Sequence, residues 1–273
     1  MQSNLALRVI SALILAPVVL GAVFYGSPAY NCLLAVMGAG LAWEWEQMLL
    51  KRNSVVGIII ATTAAITAFL TAENPSAALL VILIGTCWAF WKSKRNISLT
   101  FGMLYICLPI FALSYIYYIN ENISREIVLW LLFVVWATDI GGYVVGKSVG
   151  GPKLAPRVSA KKTWSGLLGA IGFACFVAYV FALYLKAYGY LNEEAISFTQ
   201  IKWVLIVSAG VLAVVSQIGD LFESFIKRKL NLKDSSNLIP GHGGLFDRVD
   251  GLLFASVATA LVLFIVNQGW PFE

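Results

Sequence analysis

Charged side chains are scarce in this chain, 12% of 273 residues against 60% hydrophobic ones. That balance excludes an ordinary soluble globular domain, in which about a quarter of the residues are charged. Histidine occurs once, at His242. A single imidazole excludes clustered-histidine metal sites and the phosphatase designs that need a phosphohistidine plus a second acid–base histidine. Cys32, Cys87, Cys107 and Cys175 form no C-x-x-C pair and lie inside apolar runs, so they read as small packing residues. Segments of ~10 residues alternating apolar and polar, the mark of a transmembrane barrel, are missing as well.

What fills the chain is apolar runs of about 20 residues, each long enough to cross a ~30 Å hydrocarbon core as a helix. The expected class is an all-α, polytopic integral membrane protein with about nine spans: 7–25, 29–50, 54–72, 77–92, 100–119, 127–146, 164–186, 202–221 and 250–267. The fourth is short. The first lacks a clear small-residue cleavage site and is expected to be retained as a helix. Of the 19 basic residues, only Arg125, Lys186 and Lys202 fall in one set of alternate loops. Because Lys and Arg stay on the cytoplasmic side, the N-terminus is expected inside and the C-terminus outside. The net charge of +5 then reflects topology, and suits anionic lipid or phosphate rather than nucleic acid.

The acids divide the chain into a scaffold, 1–126, and a chemically richer part, 127–273, with no separate soluble domain. Glu44 and Glu46, between tryptophans near Lys51 and Arg52, read as snorkelling interfacial charge, with a cavity-lining role as the alternative. In the second part the connections 147–163 and 222–249 are long, basic and rich in Gly, Pro and Ser, and long connections of this kind carry function.

Three segments there could do chemistry. Asp139 sits inside a span, where a carboxylate costs several kcal/mol unless paired, metal-bound or facing water; Trp136, Tyr143 and Lys147 share its helix face. Ser159-Ala160-Lys161-Lys162-Thr163 leads into the seventh span, and a helix N-terminus beside paired lysines suits phosphate. Third, Gln217, Asp220, Ser224 and Lys227 follow at i, i+3, i+7 and i+10. After them come Arg228, Lys233, the run Pro240-Gly241-His242-Gly243-Gly244, then Asp247, Arg248 and Asp250. Each aspartate alone could be a helix-start acid; the convergence of acids, bases and glycines within 35 residues, against a membrane, is what singles them out. Hard oxygen donors favour Mg²⁺ over zinc or copper. Mg²⁺ with Lys and Arg suits phosphoryl or nucleotidyl transfer, in which charge neutralisation and in-line positioning dominate.

The run Ser224-x-x-Lys227-Arg228-x₄-Lys233-Asp234-x₅-Pro240-Gly241-His242-Gly243-Gly244-x-x-Asp247-Arg248-x-Asp250 resembles the signature of the phosphatidate cytidylyltransferases (CDP-diacylglycerol synthases). The 136–143 run and the Lys161-Lys162 segment are similar to family features too, with departures at Ala160 and Ser165 from a Ser-Pro-Lys-Lys-Thr run and a Glu-Gly ending. The resemblance implies a multi-pass enzyme of the bacterial cytoplasmic membrane that converts CTP and phosphatidate to CDP-diacylglycerol and pyrophosphate, with its site facing the cytoplasm. It implies Asp220 and Asp247 as first Mg²⁺ ligands, Asp250 and Asp139 as supporting carboxylates, and room for a second, monovalent cation. Lys227, Arg228, Lys233 and Arg248 would hold phosphates, with Ser224 beside them. Ser159, Lys161, Lys162 and Thr163 would contact CTP or the lipid headgroup, and His242 the leaving pyrophosphate, with general acid catalysis as its alternative role. A homo-oligomer is compatible with all of this. Two alternatives stay open: another lipid phosphate or a polyprenyl alcohol as acceptor, and, in a different class, a cation-coupled transporter using Asp139 and Asp220.

Overall fold

The structure, a computed structural model, describes residues 2–120, 122–190, 197–239 and 243–267. Within them lie nine helices and one two-stranded hairpin: α1 (Gln2–Tyr25), α2 (Ala29–Leu50), α3 (Val55–Leu70), α4 (Pro75–Lys92), α5 (Ile97–Tyr118), α6 (Ser124–Val149), β1 (Lys153–Ala155), β2 (Ser159–Thr163), α7 (Trp164–Ala187), α8 (Phe198–Lys229) and α9 (Phe246–Asn267). Six of them, α4 to α9, are long and apolar enough to cross a membrane. Their outer faces are apolar: Leu79, Leu80, Leu83 and Ile84 of α4 are all exposed, as suits a surface solvated by lipid.

The helix starts follow capping chemistry. Ser54 accepts from the Val56 amide at 3.1 Å, Asn74 from Ala77 at 2.9 Å and Asn96 from Leu99 at 3.1 Å. Pro75 opens α4 at a position where no amide is needed. A Ser197–Gln200 capping box starts α8. Every expected span has a helix, but several ends differ. α8 runs to Lys229, past the expected end at 221, and α9 begins at Phe246 rather than 250. The connection expected over 222–249 is therefore shorter, and Ser224, Lys227 and Arg228 ride on a rigid helix. The first long connection is also partly ordered, since β1 and β2 pair antiparallel with Lys153 opposite Thr163 and Ala155 opposite Ser159.

Helices α6 and α7 approach closely enough that side chains would collide. A Cβ on Gly141 would lie 2.6 Å from the Gly169 carbonyl oxygen, and one on Gly166 2.9 Å from that of Gly142. Small residues at such a crossing let dispersion act over the whole contact, which matters where lipid supplies no hydrophobic drive between helices. On the other side, Tyr105 of α5 is packed by Trp45, Phe222, Phe246 and Phe254, with ring centroids 5.5–6.3 Å away. This cluster ties α2 and α5 to α8 and α9, so the polar segments are set against a firm core.

Glu44 and Glu46 do not snorkel. They are 0% and 3% exposed. Glu46 is an acceptor for the start of α3, receiving the amides of Ser54 (3.1 Å) and Gly57 (2.8 Å) and the Ser54 hydroxyl. A helix N-terminus satisfies both the charge and the hydrogen-bonding capacity of a buried carboxylate, which is why burial replaced exposure here.

Candidate active site

A cavity of about 850 Å³ opens where α6, the hairpin, α7, α8 and the start of α9 meet. Four polar walls line it. α6 supplies Asp139, Tyr143 and Lys147; the hairpin Lys153, Lys161 and Lys162; α8 Gln217, Asp220 and Lys227; the segment ending in α9 Asp234, Asp247, Arg248 and Asp250. Such a density of opposite charges beside apolar helices makes the cavity suited to a polyanion accompanied by cations.

The α8 ladder forms the floor. Asp220 Oδ2 meets Lys162 Nζ at 2.5 Å, and its Oδ1 accepts from Ser224 Oγ at 3.3 Å. Two turns on, Lys227 is clamped by two carboxylates: Glu223 at 2.5 Å, and Asp247 across the helix pair. Asp247 is anchored through one oxygen, since its Oδ2 accepts from the Gly244 amide (2.8 Å) and from the amide and hydroxyl of Ser235 (both 3.0 Å), while Oδ1 meets Lys227. Asp250 accepts from the Gly251 amide at 2.7 Å. Asp139 is exposed to the cavity, which removes the cost of a carboxylate inside a span. Lys147 is not its partner; it donates to the Tyr143 hydroxyl at 3.2 Å and lies over that ring.

The cavity collects Asp139, Lys161, Lys162, Thr163, Asp220, Lys227, Asp247, Arg248 and Asp250 of the residues expected from sequence. Thr163 also has a structural task, because its buried hydroxyl accepts from the Gly166 amide at 3.1 Å and so caps α7. Ser159, Ser224, Arg228 and Lys233 are not among the lining residues. Ser224 acts through Asp220; Arg228 donates to the Leu232 carbonyl at 2.8 Å and closes the end of α8. Ala160 stays on the cavity wall, and Ser165 donates to the Gly150 carbonyl, tying the hairpin's entrance to α7. His242 lies outside the described residues, with Pro240 and Gly241.

Glu223 was not singled out from sequence. It is 2% exposed and holds Lys227. Its signal was present: with Asp220 and Lys227 it completes an i, i+3, i+7 row on one face.

The donor set suits a hard cation, being carboxylate oxygens without thiolate or described imidazole. Among the described residues no three of His, Cys, Asp or Glu converge as a closed metal cage. Mg²⁺ rarely asks for one: it is usually held by one or two carboxylates, substrate phosphates and water.

Residues 6–266 match the family described as the cytidylyltransferase family. The chain belongs to the cytidylyltransferase family. Its relatives include bacterial proteins named phosphatidate cytidylyltransferase. That of Brucella suis biovar 1 is 34% identical over 270 residues, covering 97% of this chain and 93% of the relative. That of Rickettsia bellii is 31% identical, covering 97% and 92%. That of Pseudomonas aeruginosa is 32% identical over 281 residues, covering 97% and 98%. This cytidylyltransferase is therefore a nucleotidyltransferase embedded in a membrane, and the family match takes in every element that lines the cavity.

Proposed function

We propose that this enzyme transfers CMP from CTP to phosphatidate, forming CDP-diacylglycerol and pyrophosphate in the cavity between α6 and α9. The observation that carries the reading is the convergence on one cavity of Lys161, Lys162, Lys227 and Arg248 with five aspartates, in a chain similar along 97% of its length to proteins named for this reaction. Phosphatidate is already an anion at neutral pH, so its phosphate oxygen can attack the CTP α-phosphorus without a strong base. The bond from the α-phosphorus to the bridging oxygen breaks, and pyrophosphate leaves with the electron pair. The obstacle is bringing two polyanions together, and positive charge fixed in place removes it.

Asp220 and Asp247 would hold Mg²⁺, with Asp250 and Asp139 in support and room for a second, monovalent cation; bound there, the metal neutralises the triphosphate and steadies the leaving group. Lys162 and Lys227, which neutralise those same carboxylates in the structure, are then positioned for phosphate oxygens. Lys161 and Arg248 add charge at the rim, and His242 is assigned to the departing pyrophosphate. Residues 1–126 serve as scaffold and 127–273 carry the site.

The deciding assay is purified protein in detergent with CTP, phosphatidate and Mg²⁺, and the same mixture with EDTA. CDP-lipid and pyrophosphate should appear together in the first and not in the second. CDP-lipid formation that survives EDTA removes the metal; none with Mg²⁺ present removes the reaction, unless another lipid phosphate or a polyprenyl alcohol replaces phosphatidate as acceptor. All nine helices are assigned as spans, with the N-terminus and the cavity facing the cytoplasm of a bacterial inner membrane, an arrangement supported by the bias of basic residues. A protease-cleavable tag on the C-terminus should then be cut from outside intact spheroplasts, and protection of that tag would reverse the orientation.

A further inference from the structure

The carboxylate of Glu44 lies in the scaffold helix α2, fully buried, and does not line the cavity. It nevertheless receives four hydrogen bonds from residues about 200 positions later in the chain. Oε1 accepts from the Ser236 hydroxyl at 2.5 Å and the Leu245 amide at 2.7 Å; Oε2 accepts from the Phe246 amide at 2.8 Å and the Ser235 hydroxyl at 3.1 Å. Leu245 and Phe246 are the entry to α9, so Glu44 caps that helix from another part of the molecule. Ser235 bridges onward, because its amide donates to Asp247 Oδ2 at 3.0 Å and its single hydroxyl proton is shared between Glu44 Oε2 (3.1 Å) and Asp247 Oδ2 (3.0 Å). A continuous row thus runs from Glu44 through Ser235 to Asp247, Lys227 and Glu223.

The glycine beside this row is explained by it. A Cβ on Gly244 would strike the Ser235 hydroxyl and come within 2.6 Å of Glu44 Oε1. Only a residue without a side chain lets the backbone pass between the carboxylate and Asp247. Glu46, two residues along, spends its carboxylate on α3 instead, and provides an internal comparison.

We propose that Glu44 is a positioning residue for CMP transfer: by holding Ser235, Ser236, Leu245 and Phe246 against α2 it fixes where Asp247, and through it Lys227, stand in the cavity. The proposal rests on the assignment of Asp247 and Lys227 to that reaction. Glu44→Gln keeps size but places an amide group against donors, so at least one of the Leu245 and Phe246 amides loses its acceptor. Displacements of about 1 Å in such a constellation cost on the order of 100-fold in rate.

The test pairs hydrogen exchange with kinetics on the full chain in detergent. In Glu44→Gln, the amides of residues 244–247 should exchange faster, and kcat for CDP-lipid formation should fall about 100-fold with the KM for CTP near wild type. Glu46→Gln should lower the unfolding temperature while leaving kcat per folded molecule unchanged. Unchanged exchange at 244–247, or faster exchange with wild-type kcat, overturns the proposal, as does an equal loss of kcat in Glu46→Gln. If Glu44→Gln does not insert, Ser236→Ala decides: it removes one of the four donors and should lower kcat about tenfold, and wild-type kcat there is equally fatal. Failure of the wild-type chain to form any CDP-lipid is a separate result, which takes away the reaction itself.

Discussion

Asp247→Asn is expected to lower CDP-lipid formation by about three orders of magnitude while the protein remains folded. The amide is nearly isosteric, and its carbonyl can still accept from Gly244 and Ser235, the contacts that fasten the start of α9. What disappears is the charge. Lys227 then faces a donor or a neutral oxygen, and the proposed Mg²⁺ site loses one of its two first ligands. Removing a single group that stabilises developing charge commonly costs 10²–10³-fold, and weakened metal binding adds to that. The Mg²⁺ concentration required for half-maximal rate should rise as well. A variant with turnover within about tenfold of wild type, or with an unshifted Mg²⁺ requirement, would remove Asp247 from the metal site and leave it the helix-start acid that its hydrogen bonds also describe.

The second large effect concerns Lys227, whose ammonium group is shared by Glu223 and Asp247. The three side chains are only 9%, 2% and 7% exposed. Lys227→Met leaves two buried carboxylates facing each other without compensation, and breaking a buried ionic group in this way costs about 3–5 kcal/mol. For a chain of this size that corresponds to a fall in unfolding temperature of about 10 °C, accompanied by loss of turnover. Adding Glu223→Gln removes one of the stranded charges and should recover roughly half of the stability, but none of the activity. Stability and catalysis would then separate in one pair of variants. An unchanged unfolding temperature in Lys227→Met, or no recovery in the double variant, would show that the buried cluster is not held together as the geometry indicates.

The helices were readable because hydropathy is a local property, and six of the nine are long and apolar enough to cross a membrane. The ends of α8 and α9 were not, since Ser224, Lys227, Asp247 and Arg248 are polar and fall outside any apolar window while continuing the helical pitch. Only the spacing of Gln217, Asp220, Ser224 and Lys227 signalled that the helix went on. The hairpin was hidden by its brevity, two strands of 3 and 5 residues in a Gly-, Pro- and Lys-rich stretch. Candidate site residues with neighbours nearby in sequence were accessible in the same manner. Glu44 was not, because what distinguishes it from an interfacial acid is four donors far along the chain, and no local pattern carries that information.

α8 has a consequence for how the reaction relates to the bilayer. Its 32 residues rise about 48 Å, well beyond a ~30 Å hydrocarbon core. Asp220 and Lys227 are separated by seven residues, about 10 Å of axial rise, and belong to one rigid screw. Height and azimuth on that screw are coupled, since a step of one residue is 1.5 Å of rise and 100° of rotation. Membrane thickness therefore reaches the enzyme as a common offset. The carboxylate and the ammonium sink or lift together relative to a phospholipid headgroup, and their vertical interval is set by peptide geometry rather than by the lipid around them.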